Sequence, residues 1–164
     1  MMDSDHRPTP FNSPLETGVR SLAILHAAFP AAFDLQRLVE MDYLVVHSGD
    51  AGGPESLHAP LPLRAGELLV RRGLIEKGLI LMMSRGLVRR LPAQEGFTYI
   101  AGEAAAPFIS SLSDEYSVNL KERALWAVQR FADMPTDEVR RFTHQFFARW
   151  SSQFQSVPQL GDGA

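Results

Sequence analysis

The chain has 164 residues, 45% of them hydrophobic, with a formal charge of −3 and no cysteine. That length supports one compact core, or a core plus a small helical appendage, and the absent thiol excludes a disulfide framework, a cysteine nucleophile and a cysteine-ligated zinc. No apolar run reaches the roughly 18 residues of a membrane span, and MMDSDHRPTPFNSP lacks the basic-then-apolar order of a secretion signal, so the expectation is a cytoplasmic protein without membrane contact.

Residues 1–12 are polar and carry prolines, which predicts a flexible N-terminus. Ser13-Pro14-Leu15-Glu16 then opens a helix: the serine can cap, proline suits the first helical position, and Glu16 completes a capping box. Leu15, Val19, Leu22, His26 and Phe29 fall on one stripe, which predicts a helix over 14–29 ended by Pro30. Asp34 can cap a second helix over 35–48, with Leu35, Leu38, Val39, Val45 and Val46 on its apolar side and Gly49 as its stop.

Proline and glycine density then excludes regular structure from about 49 to 62, and a third helix follows over 64–84. LVRRL, the turn PAQEG and FTYIA read as a β-hairpin over 87–101. The fold class is therefore mainly α. A winged helix domain (three helices plus a β-hairpin) spans 13–101, and a C-terminal helical extension spans 102–155. Its helices fall near 102–112, near 116–132 and from Pro135 to about Phe154, before a flexible tail at 156–164.

The stretch HSGDAGGPESLHAPLP mixes residue types that can ligate a metal or move a proton: His47, Asp50, Glu55 and His58. Their spacing matches no zinc signature. A hydrolase on His47, Asp50 and His58 lacks a nucleophile, and Gly49, Gly52 and Gly53 are not followed by GK[ST]. No metal or cofactor is expected. The reading is a proline-stiffened connector, pinned by Leu57, Leu61 and Leu63, that presents a surface to another protein.

Four ionisable residues fall on apolar helix faces: His26, Asp42, Arg72 and Glu76. They are expected to form a buried structural network, with Asp42 paired to Arg72 and Glu76 bracing it along the helix. A catalytic set built from the same four is the alternative, but no serine or threonine stands beside them as a nucleophile, so no catalytic residue is assigned.

Between Arg64 and Arg90 seven basic residues face two acids, a local charge of +5 on an acidic chain. The side of the third helix that would face a DNA groove carries Gly66, Val70, Gly73, Lys77 and Leu81, whereas base reading needs Arg, Lys, Asn or Gln. Val70, Leu74 and Leu81 instead form a second apolar strip, and the last helix adds Phe142, Phe146 and Trp150. These six are the candidate partner-binding residues. Arg85, Arg89 and Arg90 are candidates for non-specific DNA phosphate contact.

FNSPLETG, DLQRL, HSGD, GGPESLHAPLP and GELLVRR, within about residues 11–100, resemble the middle component (type 2) of ABC-three-component systems, which include the Lamassu-type anti-phage defence operons. The resemblance implies a small non-enzymatic subunit. It would sit between an SMC- or Rad50-like coiled-coil ATPase and an effector, often a nuclease, that acts on sensing foreign DNA. It transfers no catalytic role to Phe11–Gly18, Asp34–Leu38, His47–Asp50, Gly52–Pro62 or Gly66–Arg72. The expected function is an adaptor or regulatory subunit of such a complex. The alternative is a stand-alone winged helix DNA-binding transcriptional regulator.

Overall fold

The structure is a computed structural model that describes residues 13–58 and 65–155, including side chains except those of 65–69 and 146–155. The flexible ends expected at 1–12 and 156–164, and the pinning leucines Leu61 and Leu63, lie outside the described residues.

Helix α1 spans Pro14–Ala28, and the Ser13 hydroxyl accepts from the Glu16 amide at 3.2 Å. A two-residue strand β1, Phe33–Asp34, leads into α2, Leu35–Val46, whose cap is Asp34 accepting from the Arg37 amide at 2.7 Å. A 3-10 turn at Ser48–Ala51 follows. Helix α3 spans Ala65–Ser84, the hairpin strands are β2, Val88–Ala93, and β3, Gly96–Ala101, and α4 spans Ala105–Ser111. Helix α5, Glu115–Phe131, is capped by Asp114, and α6 spans Thr136–Gln155.

The fold is mainly helical with a three-stranded antiparallel sheet of order β1-β3-β2, the layout of a winged helix followed by C-terminal helices. The sequence reading contained only the hairpin. The third strand pairs Phe33 with Tyr99 and Asp34 with Thr98, and two residues are too few for an alternating pattern to register.

Helix α1 is the hub, packing against α2, α3, α4, α5 and β3. That explains a correction to its expected stripe. Leu15 and Phe29 are exposed, while Thr17, Arg20, Ser21 and Ile24 are buried, because a helix surrounded by others buries more than one face. At its crossing with α3, a Cβ built on Gly78 would lie 2.6 Å from the Gly18 amide nitrogen. Only a pair of glycines lets these two backbones approach so closely.

One apolar cluster runs from Leu22, Leu25, Leu38 and Leu44 through Ile75, Leu79 and Met82 to Leu120, Ala124, Phe131 and Val139. The packing is thus continuous across the boundary placed at 101/102. Phe131 is fully buried, with ring centroids 5.8 Å from Trp126 and 5.1 Å from Phe142. Arg37 of α2 donates to the carbonyls of Phe131 at 3.1 Å and Met134 at 2.5 Å, satisfying acceptors that the end of α5 leaves open.

Candidate functional site

The polar residues of the chain converge under the His47–His58 loop. Asp42, fully buried on α2, accepts from the Arg20 Nε of α1 at 2.8 Å and from the Arg71 guanidinium of α3 at 2.6 Å. Burial alone would raise the Asp42 pKa, but the two guanidiniums outweigh it and hold the carboxyl below the usual carboxylate range. Burial likewise opposes the Arg20 charge, and Asp42 and Tyr116 overcome it, leaving the guanidinium above its ordinary value. A buried carboxylate between two arginines ties three helices together.

This placement corrects the expected network. The partner on α3 is Arg71, not Arg72. Arg72 is exposed and donates to Gln36 Oε1 at 3.1 Å, and Glu76 is exposed as well. The inward line of α3 runs from the half-buried Arg71 through the buried Ile75, Gly78 and Met82, at spacings of four, three and four, the contact seam of a helix laid against others. Helix α3 is apolar on most sides, so periodicity carried no direction, and the inferred face was rotated by about one residue. Ile80 of the same helix is 60% exposed.

His26 does not join the network either. It is half-buried at the end of α1, in a cavity lined also by Phe29, Arg89, Ala101, Glu103 and Ala106. The α1 member is Arg20, which sequence reasoning missed. Its signal was an arginine inside TGVRSLAIL, a run of small and apolar residues with no side obviously facing water.

Above Asp42 the loop is fastened at several points. The Leu57 and His58 amides donate to the Val46 carbonyl at 3.1 and 3.3 Å. The Ser48 hydroxyl donates to the Pro54 carbonyl at 2.9 Å, and the Gly49 amide donates to Ser56 Oγ at 3.0 Å. From α5, the Arg123 Nε donates to the Glu55 carbonyl at 2.6 Å, and His58 Nε2 lies 3.0 Å from the Tyr116 hydroxyl. Gly53 is pressed against Trp126: a Cβ there would stand 2.3 Å from the indole Cζ2. Arg123, Trp126 and Tyr116 all come from a helix that offered no motif.

The histidines of the loop are held neutral. Burial, followed by the Arg71 charge, pushes His47 down to about 4, and burial, followed by the Arg20 charge, pushes His58 down to about 4. Tyr43, tilted against His47 with ring centroids 5.0 Å apart, is pushed up to about 12, chiefly by burial. Of the four loop residues that could ligate a metal, His47 is buried and His58 half-buried, while Asp50 and Glu55 are exposed. Among the described residues no three His, Asp or Glu side chains are grouped to hold a metal ion.

A second polar chain links α6 to α3. Thr143, fully buried, donates to Glu40 Oε2 at 2.5 Å, Gln36 donates to Glu40 Oε1 at 2.9 Å, and Arg72 donates to Gln36. Among the partner-binding candidates, Val70 is 63% exposed. Leu74, Leu81 and Phe142 are half-buried, the last two against the core, so these offer less free surface than a continuous strip would. The side chains of Phe146 and Trp150 lie outside those described. Arg85, Arg89 and Arg90 are exposed.

Compared with known families, residues 10–153 match the one described as ABC-three component (ABC-3C) system Middle Component 2. The chain belongs to that family. The match extends through the C-terminal helices, beyond the residues 11–100 that carried the resemblance, so α5 lies within it too. This middle component is accordingly one part of a three-component system. No curated protein and no solved structure matches it. No described helix is long and apolar enough to cross a membrane.

Proposed function

We propose that this middle component is a non-catalytic adaptor of a Lamassu-type anti-phage defence complex. In this reading it joins an SMC- or Rad50-like coiled-coil ATPase to a nuclease-type effector. What carries the proposal is the fastening of the His47–His58 loop. The Leu57 and His58 amides hold it to the Val46 carbonyl of α2, the Arg123 guanidinium of α5 holds Glu55, and the Ser48 hydroxyl on Pro54 braces the loop internally. A loop of this length held in one shape, with a single 3-10 turn as its described secondary structure, suits a recognition surface.

The test is co-expression with the products of the neighbouring genes and purification through a tag on this chain. A stable complex containing a coiled-coil ATPase is the expected result, and Gly53→Trp, which must displace the loop from Trp126, should weaken it. Recovery of the chain alone, with every neighbour expressed and soluble, would sink the adaptor reading. The stand-alone regulator is less well supported. The exposed side of α3 offers Val70, Arg72, Glu76, Lys77 and Ile80, and with Arg72 bonded to Gln36 one lysine is left suited to reading a base edge.

A further inference from the structure

We infer that the cavity between the end of α1, the foot of the hairpin and the start of α4 binds a small zwitterion of the α-amino-acid type, free or as a short peptide. Its volume is about 480 Å³, within the range of small-ligand sites. The buried Ala101 and the half-buried His26 and Gly102 make its floor. Phe29, Arg89, Glu103 and Ala106, all exposed, make its rim.

The backbone beneath the cavity is pinned. The Gly102 amide donates to the Leu87 carbonyl at 2.8 Å, and the Gly102 carbonyl accepts from the Ala105 amide at 3.1 Å. A Cβ on Gly102 would stand 2.6 Å from the Gly86 carbonyl oxygen, so this glycine lets the segments before and after the hairpin meet. A floor fixed in this way belongs to a largely preformed site.

Charge selects the ligand. Arg89 and Glu103 carry opposite signs around one cavity. Among the described residues neither side chain is hydrogen-bonded or ion-paired, and the same holds for His26. An anion would be drawn to Arg89 and repelled by Glu103, and a cation would meet the reverse. An uncharged apolar molecule would strip water from both groups and replace it with nothing. A molecule carrying a carboxylate and an ammonium answers both, through two charge-assisted hydrogen bonds. The imidazole of His26 adds a further polar contact on the floor. The Phe29 ring, 61% exposed, and the small Ala101 and Ala106 leave an apolar wall for the ligand's side chain.

Thermal shift followed by isothermal titration calorimetry of the full chain, with each common amino acid and a set of dipeptides, tests the inference. The expected result is millimolar or tighter binding of at least one apolar member, and the two panels separate the free acid from the peptide. Acetylating the amine of that ligand, or amidating its carboxylate, should each weaken binding about tenfold or more. Arg89→Gln and Glu103→Gln should do the same to the unmodified ligand. Arg89→Gln should cost the amidated ligand nothing further, and Glu103→Gln should cost the acetylated one nothing further, a coupling that a merely structural role would not produce. Ala106→Phe, at an exposed position, should fill the cavity and abolish binding with the melt of the free protein unchanged. No response to any member of either panel overturns the site, as does binding that all three variants leave intact. A response to guanosine and to no amino acid or dipeptide overturns the assigned ligand. Complex assembly is a separate readout, so this inference and the adaptor reading can fail independently.

Discussion

Two groups of arginines in this protein stand in opposite situations. Under the His47–His58 loop, Arg20 and Arg71 share one buried carboxylate and Arg123 holds a backbone carbonyl of the loop. On the hairpin and the turn before it, Arg85, Arg89 and Arg90 face solvent, and Arg90 stacks on the ring of Phe97. A guanidinium withdrawn from water must have acceptors for its donors or its desolvation goes uncompensated, which makes the first group structural by necessity. The second group is under no such demand. Its donors remain available to a partner, and removing them should leave the fold alone.

The sharpest way to break this contrast is Asp42→Ala. It strands two guanidiniums, one of them almost wholly buried, and breaking a buried pair typically costs about 3–5 kcal/mol. A fall in Tm of about 10 °C is expected for a chain of this size. A thermal melt within a degree of the parent would mean that water or rearrangement readily replaces Asp42, and that the cluster does not tie the three helices together.

Gly53→Ala should come next. The added methyl meets the face of Trp126, a rigid group, and overpacking of this kind costs about 1–3 kcal/mol. Because the loop can lift, the loss should concentrate there: faster hydrogen exchange at residues 48–58 and earlier proteolysis, with α1 and α2 little changed. Uniform loss of protection across the chain would show instead that the loop and the helices open as one unit.

Much of this was legible from the sequence, and the failures have physical causes. Caps and breakers placed the first two helices, since Ser13, Pro30 and Asp34 act through local geometry that needs no tertiary context. The inward position of Asp42 was readable because α2 has one clear apolar side. Its partners were not. Arg20 sits on a helix enclosed by its neighbours, and α3 is apolar on nearly every side, so 71 and 72 could not be told apart without the Gly18–Gly78 crossing that sets the rotation. The clamp on the loop was invisible for another reason: Arg123, Trp126 and Tyr116 are distant in sequence and belong to no spacing motif.

Acid should affect only the first region. The folded pKa values of His47 and His58, about 4, lie below the ordinary 6.5. The unfolded chain therefore binds protons that the folded chain refuses, and stability falls as pH drops from about 6.5 towards 4, with no contribution above that window. Melts at pH 7 and pH 5 should differ by several degrees. The pH 5 loss should shrink in His58→Gln, and the hairpin arginine variants should track the parent throughout.

The smallest expected effect tests the rotation of α3 directly. Arg71 and Arg72 are adjacent and chemically identical, yet one is bonded to a buried carboxylate and the other to an exposed glutamine hydrogen-bond chain. Arg71→Ala leaves Asp42 with Arg20 alone and should destabilise clearly. Arg72→Ala removes one exposed contact to Gln36 and should cost about 0.5 kcal/mol or less. Parallel chemical denaturation of the two variants decides the point. A larger loss for Arg72→Ala than for Arg71→Ala would return the ion pair to the position expected from sequence, and would turn Val70 and Ile80 away from the surface on which they now stand exposed.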